Sequence, residues 1–192
     1  LLGDPQRTVP VIHLTGTNGK TSTTRIIERL LRELGLKTGR FTSPHLHSMR
    51  ERIALSGQPI GEEAFLAAYD EVMPFVEMVD AQSLAAGGPR MTYFEVLVAI
   101  GYAAFADAPV DVAVVEVGMG GAWDATNVVE APVSVVLPID IDHRHFLGDT
   151  VEEIATEKSG IITADGITVM ALQPHDEAAV ILRDKADEVG AR

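Results

Sequence analysis

The sequence predicts an α/β fold: a three-layer α/β/α domain built on a mainly parallel sheet. Three observations carry that expectation. Strand-like and helix-like segments alternate along the chain. Two near-continuous apolar runs, VDVAVVEVG and APVSVVLPI, have the composition of strands buried on both faces. The stretch TGTNGKTS at 15–22 puts a glycine-rich turn where an apolar strand ends and a helix begins.

In chain order, Val9 to Leu14 is a short apolar, β-branched strand. Thr21 to Leu34 carries Ile26, Ile27, Leu30, Leu31 and Leu34 at helical spacing and closes on Gly35. Lys37 to Phe41 reads as a second strand leading into the turn-rich TSPHLHS. After QPIGEE, the residues Phe65, Tyr69, Val72, Val76 and Val79 step by four, three, four and three, the apolar face of a helix that Pro74 should kink or restart. AAGGPR is a loop, and Thr92 to Phe105 is helical again. The two apolar runs follow as strands. Thr150 to Lys158 is a helix whose Thr150 can form a capping box with Glu153. Gly166 to Leu172 is a candidate strand and Asp176 to Val189 a terminal helix. No linker, internal repeat or low-complexity tract divides the 192 residues, so one domain is expected.

Fifteen basic against twenty-eight acidic residues leave a formal charge of −13. That balance argues against a general nucleic-acid or anionic-membrane surface, both of which attract basic patches. The absence of cysteine removes disulfides and thiolate metal sites from consideration. No apolar run reaches bilayer-spanning length and no secretory leader pattern opens the chain, so it reads as soluble and cytoplasmic.

Four clusters carry chemistry. In TGTNGKTS, backbone N–H groups of the turn face a concavity at a helix N-terminus, where the helix dipole favours anions. Gly16 and Gly19 let the backbone turn and approach closely, Lys20 can reach outer phosphates, and Thr21 can offer its hydroxyl to magnesium. The full G-x-x-x-x-G-K-[ST] spacing needs glycine at position 14, where Leu14 stands, so this is a variant of the P-loop. A capped turn with a solvated lysine is the bland alternative.

In VVEVGMGGAWDATN, Glu116 closes a strand at the sheet edge where ligands bind in open α/β sheets, and reads equally as a magnesium ligand or a surface carboxylate. Gly118, Gly120 and Gly121 allow tight turns, and Asp124 and Asn127 are polar groups available to a ligand. A dinucleotide fingerprint is disfavoured, because Trp123 occupies its third small position. In IDIDHRHFLG, His143 follows a strand and is a candidate metal ligand, with His145 competing. In TEKSGII, Lys158 taken alone is a solvated lysine at a helix C-terminus.

Together, TGTNGKTS, TSPHL, ERI, MTYFE, VVEVGMGGAWDATN, DHRHFLG and EKSGII, between about Val9 and Ile162, resemble in order and spacing the folylpolyglutamate synthases and bifunctional dihydrofolate synthases of the Mur ligase superfamily. GTNGKT alone marks the superfamily; SPHL, the T-x-FE helix and GG-x-x-DATN narrow it to the folate branch. The resemblance implies a Mur ligase central-domain-like fold and an ATP-dependent ligase that joins L-glutamate to dihydropteroate or folate polyglutamates through an acyl phosphate. By that similarity Asn18, Gly19, Lys20 and Thr21 would hold the ATP phosphates, and Thr21, Ser43, Glu116 and His143 would bind magnesium. Thr92, Tyr93, Phe94 and Glu95, with Trp123, Asp124 and Ala125, would line the pteroate pocket, Phe94 stacking and Asp124 hydrogen-bonding the pterin. Lys158 would be carbamylated, which makes Lys20, His143 and Lys158 the expected catalytic set.

The resemblance also sets expectations about organisation. Residues 1–192 would be the N-terminal ATP-binding domain, truncated and lacking the C-terminal glutamate-ligase domain; alone it would not complete ligation, and the full-length protein would be a monomer. Two local departures stand out. Ala122 takes the place of a usual basic residue after the paired glycines, removing a cation near the substrate loop, and Asp140 replaces a usually uncharged residue. The competing readings are another Mur-type ligase acting on a UDP-muramoyl or peptide acceptor, and a non-catalytic P-loop module. A guanine-specificity N-K-x-D motif and an arginine-rich kinase lid are both lacking.

Overall fold

The computed structural model describes all residues from 1 to 192. Its strands are β1 (Val11–Thr15), β2 (Thr38–Phe41), β3 (Ile53–Leu55), β4 (Gln58–Pro59), β5 (Val112–Glu116), β6 (Val133–Val136) and β7 (Ile167–Met170). The helices are α1 (Lys20–Glu33), α2 (Glu62–Ala85), α3 (Tyr93–Asp107), α4 (Arg144–Leu147), α5 (Val151–Ser159) and α6 (Asp176–Val189). One seven-stranded sheet runs β4-β3-β2-β5-β1-β6-β7. Along the sheet from β2 to β7 every pairing is parallel, and β3 pairs antiparallel with both β2 and β4.

Strand β1 lies inside the sheet between the buried strands β5 and β6. Leu14 is in register with Glu116 of β5, and Thr15 with Val136 of β6. The carboxyl ends of these three strands therefore reach one rim together, the place where an open α/β sheet binds its ligands. Val11 joins the larger core with α2 and α3 on one face, and Leu14 joins a smaller one with Ile27 and Leu31 of α1 on the other. Helices α5 and α6 close a third cluster against Val136 and Ile139.

Several elements differ from the sequence reading. The β3–β4 hairpin was not expected: Ser56 and Gly57 both take positive φ, 47° and 82°, as a two-residue hairpin turn requires. Helix α2 runs unbroken through Pro74, because the burial of Val72 and Val76 on either side offsets the hydrogen bond proline cannot make. Its buried face uses Ala68, while Tyr69 is exposed. In α1, only Ile27 and Leu31 pack on the sheet; Ile26, Leu30 and Leu34 are exposed, and the most buried residues are Thr24 and Glu28. Helices α3 and α5 open with capping boxes, that of α5 being the expected pair of Thr150 and Glu153. No helix is long and apolar enough to cross a membrane.

Glu28 points inward from α1 to β2, where it pairs with Arg40 and accepts a hydrogen bond from Thr38 Oγ1 at 3.2 Å. Removing one partner of a buried pair leaves the other charged and unsolvated. Glu28→Ala is therefore expected to lower unfolding free energy by about 3 kcal/mol or more, read from the urea midpoint. Glu33→Ala, which breaks only the exposed Arg29–Glu33 pair, should cost less than about 0.5 kcal/mol.

Candidate functional site

The turn from β1 into α1 is shaped by two glycines in conformations closed to other residues. Gly16 has φ 144°, and a Cβ there would lie 2.6 Å from Leu137 Cβ and 3.1 Å from Leu137 Cα. Gly19 caps α1 at φ 82°. The loop is fastened to the end of β6: Thr17 N donates to Pro138 O at 3.0 Å, Thr17 Oγ1 donates to Asp140 O at 2.9 Å, and Asp140 N approaches the same hydroxyl at 3.0 Å. Asp140, the unusual acid, thus anchors the loop through its backbone. Its carboxylate accepts from Ile141 N and pairs with His175 Nε2 at 3.2 Å, contacts that hold it below its ordinary value.

A cleft of about 370 Å³ opens at this turn. It is lined by Asn18, Gly19, Lys20 and Thr21 of the loop, and by Ser43, Glu116 and His143 from three other segments. These are the residues predicted for phosphate and metal binding, drawn from separate stretches to one place. Asp142 lines the cleft too. His145, the competing histidine, is exposed and does not line it. His143 takes φ 48°, its backbone N–H donating to Asp142 Oδ1 at 2.8 Å and its Nε2 standing 3.5 Å from Asp142 Oδ2.

Glu116 is only 1% exposed. Thr21 Oγ1 donates to its Oε1 at 2.8 Å, and Ser43 N to its Oε2 at 3.4 Å. Burial pushes its proton affinity up, against the opposing pull of the Thr21 hydrogen bond and Lys20. A buried carboxylate short of solvent, flanked by a hydroxyl and opening onto an oxygen-lined cleft, is the donor chemistry a hard divalent cation prefers. These residues fit magnesium.

Two lysines converge on one carbonyl. Lys20 Nζ donates to Gly16 O at 2.9 Å, and Lys158 Nζ donates to the same oxygen at 3.2 Å. Lys158 is not the solvated side chain of the bland reading: it is 3% exposed. Burial, then repulsion from Lys20, brings its pKa down to about 8, while Asp142, Glu157 and Asp124 pull the other way. In a chain of formal charge −13, two lysine side chains thus meet on one carbonyl of the phosphate-type loop.

The residues predicted to line the acceptor pocket divide. Glu95 and Ala125 border an apolar cavity of about 440 Å³ between α2, α3 and the N-terminal residues. Thr92 and Glu95 are also occupied with each other: Thr92 caps α3, and Glu95 Oε2 accepts from Thr92 N and Oγ1, each at 2.6 Å. The Phe94 ring packs edge-on to Phe41 at 6.0 Å and rests so closely on Gly118 that a Cβ there would meet it at 2.4 Å. Tyr93 is exposed with the Arg52 guanidinium 5.7 Å over its ring, and Trp123 is 52% exposed. Asp124 is 6% exposed. Its carboxylate is turned inward and accepts from Met119 N at 2.9 Å, Thr126 N at 3.0 Å and Thr126 Oγ1 at 2.6 Å, so it holds the loop.

Asn127 is likewise structural, its Nδ2 donating to Ala122 O at 3.2 Å and Gly160 O at 3.1 Å. Sequence reasoning missed Glu157. Its Oε1 accepts from Gly121 N at 3.2 Å and Trp123 N at 3.1 Å, bracing the loop against the helix that carries Lys158. A carboxylate beside a lysine in TEKSGII gives no sign of this, because its partners are backbone groups 34 and 36 residues away. Thr17 was visible within the glycine turn, but its bonds to residues 123 positions distant were not. Ala122 packs its methyl against Gly160, where a Cβ would meet it at 2.4 Å.

Gly16→Ala tests the cradle. The added methyl must displace Leu137 or the loop, so affinity for pyrophosphate should fall at least about tenfold, roughly 1.4 kcal/mol, in calorimetric titration, with helix content by circular dichroism retained.

No family model matches the chain. It is 52% identical over an aligned span of 203 residues to the dihydrofolate synthase/folylpolyglutamate synthase of Mycobacterium tuberculosis, covering all of this chain and 42% of that protein. A crystal structure of Mycobacterium tuberculosis folylpolyglutamate synthase complexed with ADP and AMPPCP superposes with a TM-score of 0.93 at 50% identity, covering 99% of this chain and 43% of that one. A folylpolyglutamate synthase in complex with AMPPCP and folate gives a TM-score of 0.92 at 37% identity, over 100% of this chain and 46% of that one. The chain thus spans less than half the length of these relatives. Taken with the loop, the buried carboxylate and the paired lysines, these likenesses identify it as a member of the folylpolyglutamate synthase and dihydrofolate synthase family, matching the nucleotide-binding N-terminal part of those proteins.

Proposed function

We propose that this chain is the ATP-binding part, residues 1–192, of a cytoplasmic ligase that joins L-glutamate to dihydropteroate, folate polyglutamates or both. The observation that carries the reading is the Thr21–Glu116 hydrogen bond beneath the Gly16–Lys20 turn, which puts a buried carboxylate beside a phosphate-type loop. The relatives crystallised with ADP, AMPPCP and folate support it. The missing basic residue at Ala122 and the remainder of the relatives' length bear on how much of the reaction this chain performs alone; glutamate ligation is assigned to the longer protein, acting as a monomer without nucleic acid or membrane.

In this reading the loop N–H groups and Lys20 hold the nucleotide phosphates. The Lys20 ammonium, which now rests on Gly16 O, turns to the anion that competes for it. Thr21, Ser43, Glu116 and His143 would hold magnesium, which would neutralise phosphate charge. The substrate carboxylate attacks the γ-phosphorus and ADP leaves; the amine of glutamate then attacks the acyl carbon and phosphate leaves. The protein's share is positioning and charge neutralisation. Tyr93, Phe94, Trp123 and Ala125 present the acceptor's ring system, with Thr92, Glu95 and Asp124 fixing the shape of that surface rather than all touching the ligand.

Lys158 is assigned as a carbamate. The ammonium first gives up one proton; the neutral amine then attacks the carbon of carbon dioxide and gives up a second to solvent, so that a buried cation beside Lys20 becomes an anion that offsets it. A pKa of about 8 leaves roughly a tenth of the amine neutral at pH 7 and most of it neutral above pH 9. Only the neutral amine reacts, so carbamate formation rises with pH, and the depressed pKa brings that rise down toward neutrality.

Two measurements test these assignments. Calorimetric titration with magnesium and AMPPCP, then with dihydropteroate, should show saturable binding of both, with nucleotide affinity lowered at least about tenfold by Lys20→Ala. Nucleotide binding without pteroate binding would overturn the folate acceptor while leaving the cleft. With ¹³C-labelled bicarbonate, a carbamate resonance should grow between pH 6.5 and about 8.5 and be absent from Lys158→Arg; no resonance at any pH would overturn the modification.

A further inference from the structure

The loop from Gly118 to Asn127 is held by a line of buried hydrogen bonds that the proposed reaction does not use. His13, at the middle of β1, is fully buried, and its Nε2 lies 2.8 Å from Thr126 Oγ1. The same hydroxyl lies 2.6 Å from Asp124 Oδ1. A threonine hydroxyl has one proton and a carboxylate can only accept, so the hydroxyl donates to Asp124 and accepts from His13. That assignment places the imidazole hydrogen on Nε2. Nδ1 is then a bare acceptor, and it has no partner.

An unpartnered buried nitrogen is costly, and an apolar side chain of similar size would avoid the cost. Packing alone therefore does not account for an imidazole in the central strand. Burial brings the His13 pKa down to about 3, so the ring is neutral and donates one hydrogen throughout the physiological range. Thr126 is gripped at its other polar atoms as well: Tyr102 of α3 donates to its carbonyl at 2.8 Å, and its N–H donates to Asp124. The phosphate loop has its own fastenings, at Pro138 and Asp140 and through Lys20 and Lys158 on Gly16 O.

We infer that His13 is a positioning residue, setting the acceptor-side loop through Thr126 and Asp124, and with it Trp123 and Ala125, without governing the nucleotide cleft. The acceptor part of this inference rests on the proposed function; the positioning of the loop does not. The Asp124 carboxylate accepts and does not donate, so the order of the relay is set by the single donor hydrogen that His13 contributes at its far end. Losing that hydrogen leaves the Thr126 hydroxyl held by Asp124 alone and removes one of two side-chain links from β1 to the loop, the other being Thr15 Oγ1, which donates to Gly120 O at 2.6 Å.

Trp123 is the sole tryptophan, half exposed, and reports on the loop without requiring activity. The experiment compares His13→Leu, Thr126→Val and His13→Gln in the whole chain, each checked for native far-ultraviolet circular dichroism. Acrylamide quenching and anisotropy of Trp123 are measured, together with calorimetric affinities for AMPPCP with magnesium and for dihydropteroate. His13→Leu and Thr126→Val should make Trp123 about twofold more quenchable and weaken dihydropteroate about tenfold, the scale of one lost hydrogen bond. AMPPCP affinity should stay within about twofold. His13→Gln, whose amide nitrogen reaches the place of Nε2, should restore both. The inference is overturned if Gln behaves like Leu, if Trp123 is unchanged in Leu and Val, or if both ligands weaken together. If the unmutated chain binds AMPPCP but no dihydropteroate, the folate acceptor fails, and the Trp123 measurements alone decide the role of His13. Should His13→Leu not fold, Thr126→Val decides the matter, since it removes the same link while leaving β1 intact.

Discussion

Everything at the rim of the sheet depends on how closely Gly16 approaches Leu137. The backbone passes where a methyl group would overlap the neighbouring chain, and only a residue without Cβ can turn there at φ 144°. That approach lets the loop lie on the end of β6, where Thr17 exchanges hydrogen bonds with the Pro138–Asp140 segment. It also turns Gly16 O toward Lys20 and Lys158 together. A single steric allowance thus fixes the anion cradle, the lysines and the His143 segment relative to one another.

The electrostatics of the cleft follow from burial rather than from composition. The surface is strongly acidic, yet the groups that matter are a carboxylate pushed up by desolvation and a lysine pushed down by it. Burial opposes the charged form of each, so a cation at Glu116 and a negative charge beside Lys20 would relieve the same kind of cost. Preorganised charge of this kind acts most strongly where water is excluded. Helix α5 links the two sides, since Glu157 braces the Trp123 loop while the adjacent Lys158 reaches under the phosphate loop.

Much of the fold was legible because its signals are local. The apolar runs of β5 and β6, the capping box at Thr150 and the span of α6 depend on residues a few positions apart. The β3–β4 hairpin escaped notice because its strands are two and three residues long and only the Ser56–Gly57 turn announces them. Tyr69 and the outer leucines of α1 misled because helical spacing cannot tell which of two adjacent apolar positions meets a sheet. Pro74 was read as a break because the cost it carries is local, whereas the packing that offsets it is not.

The candidate site divides along the same line. By itself, the sequence determined the chemistry available: a glycine turn before a helix, a lysine and threonine in register with it, a carboxylate at a strand end, and the motifs that mark the family. Only the tertiary structure decided which groups meet. It brought Thr21 to Glu116 across 95 residues and Lys158 to Gly16 across 142. It turned Asp124 inward onto the loop it was expected to serve, and set His13 behind Thr126 in the central strand. The physical reason is that a residue's type and local spacing fix what it can donate, accept or bury, whereas the partner it finds depends on strand order and register, which no local pattern encodes.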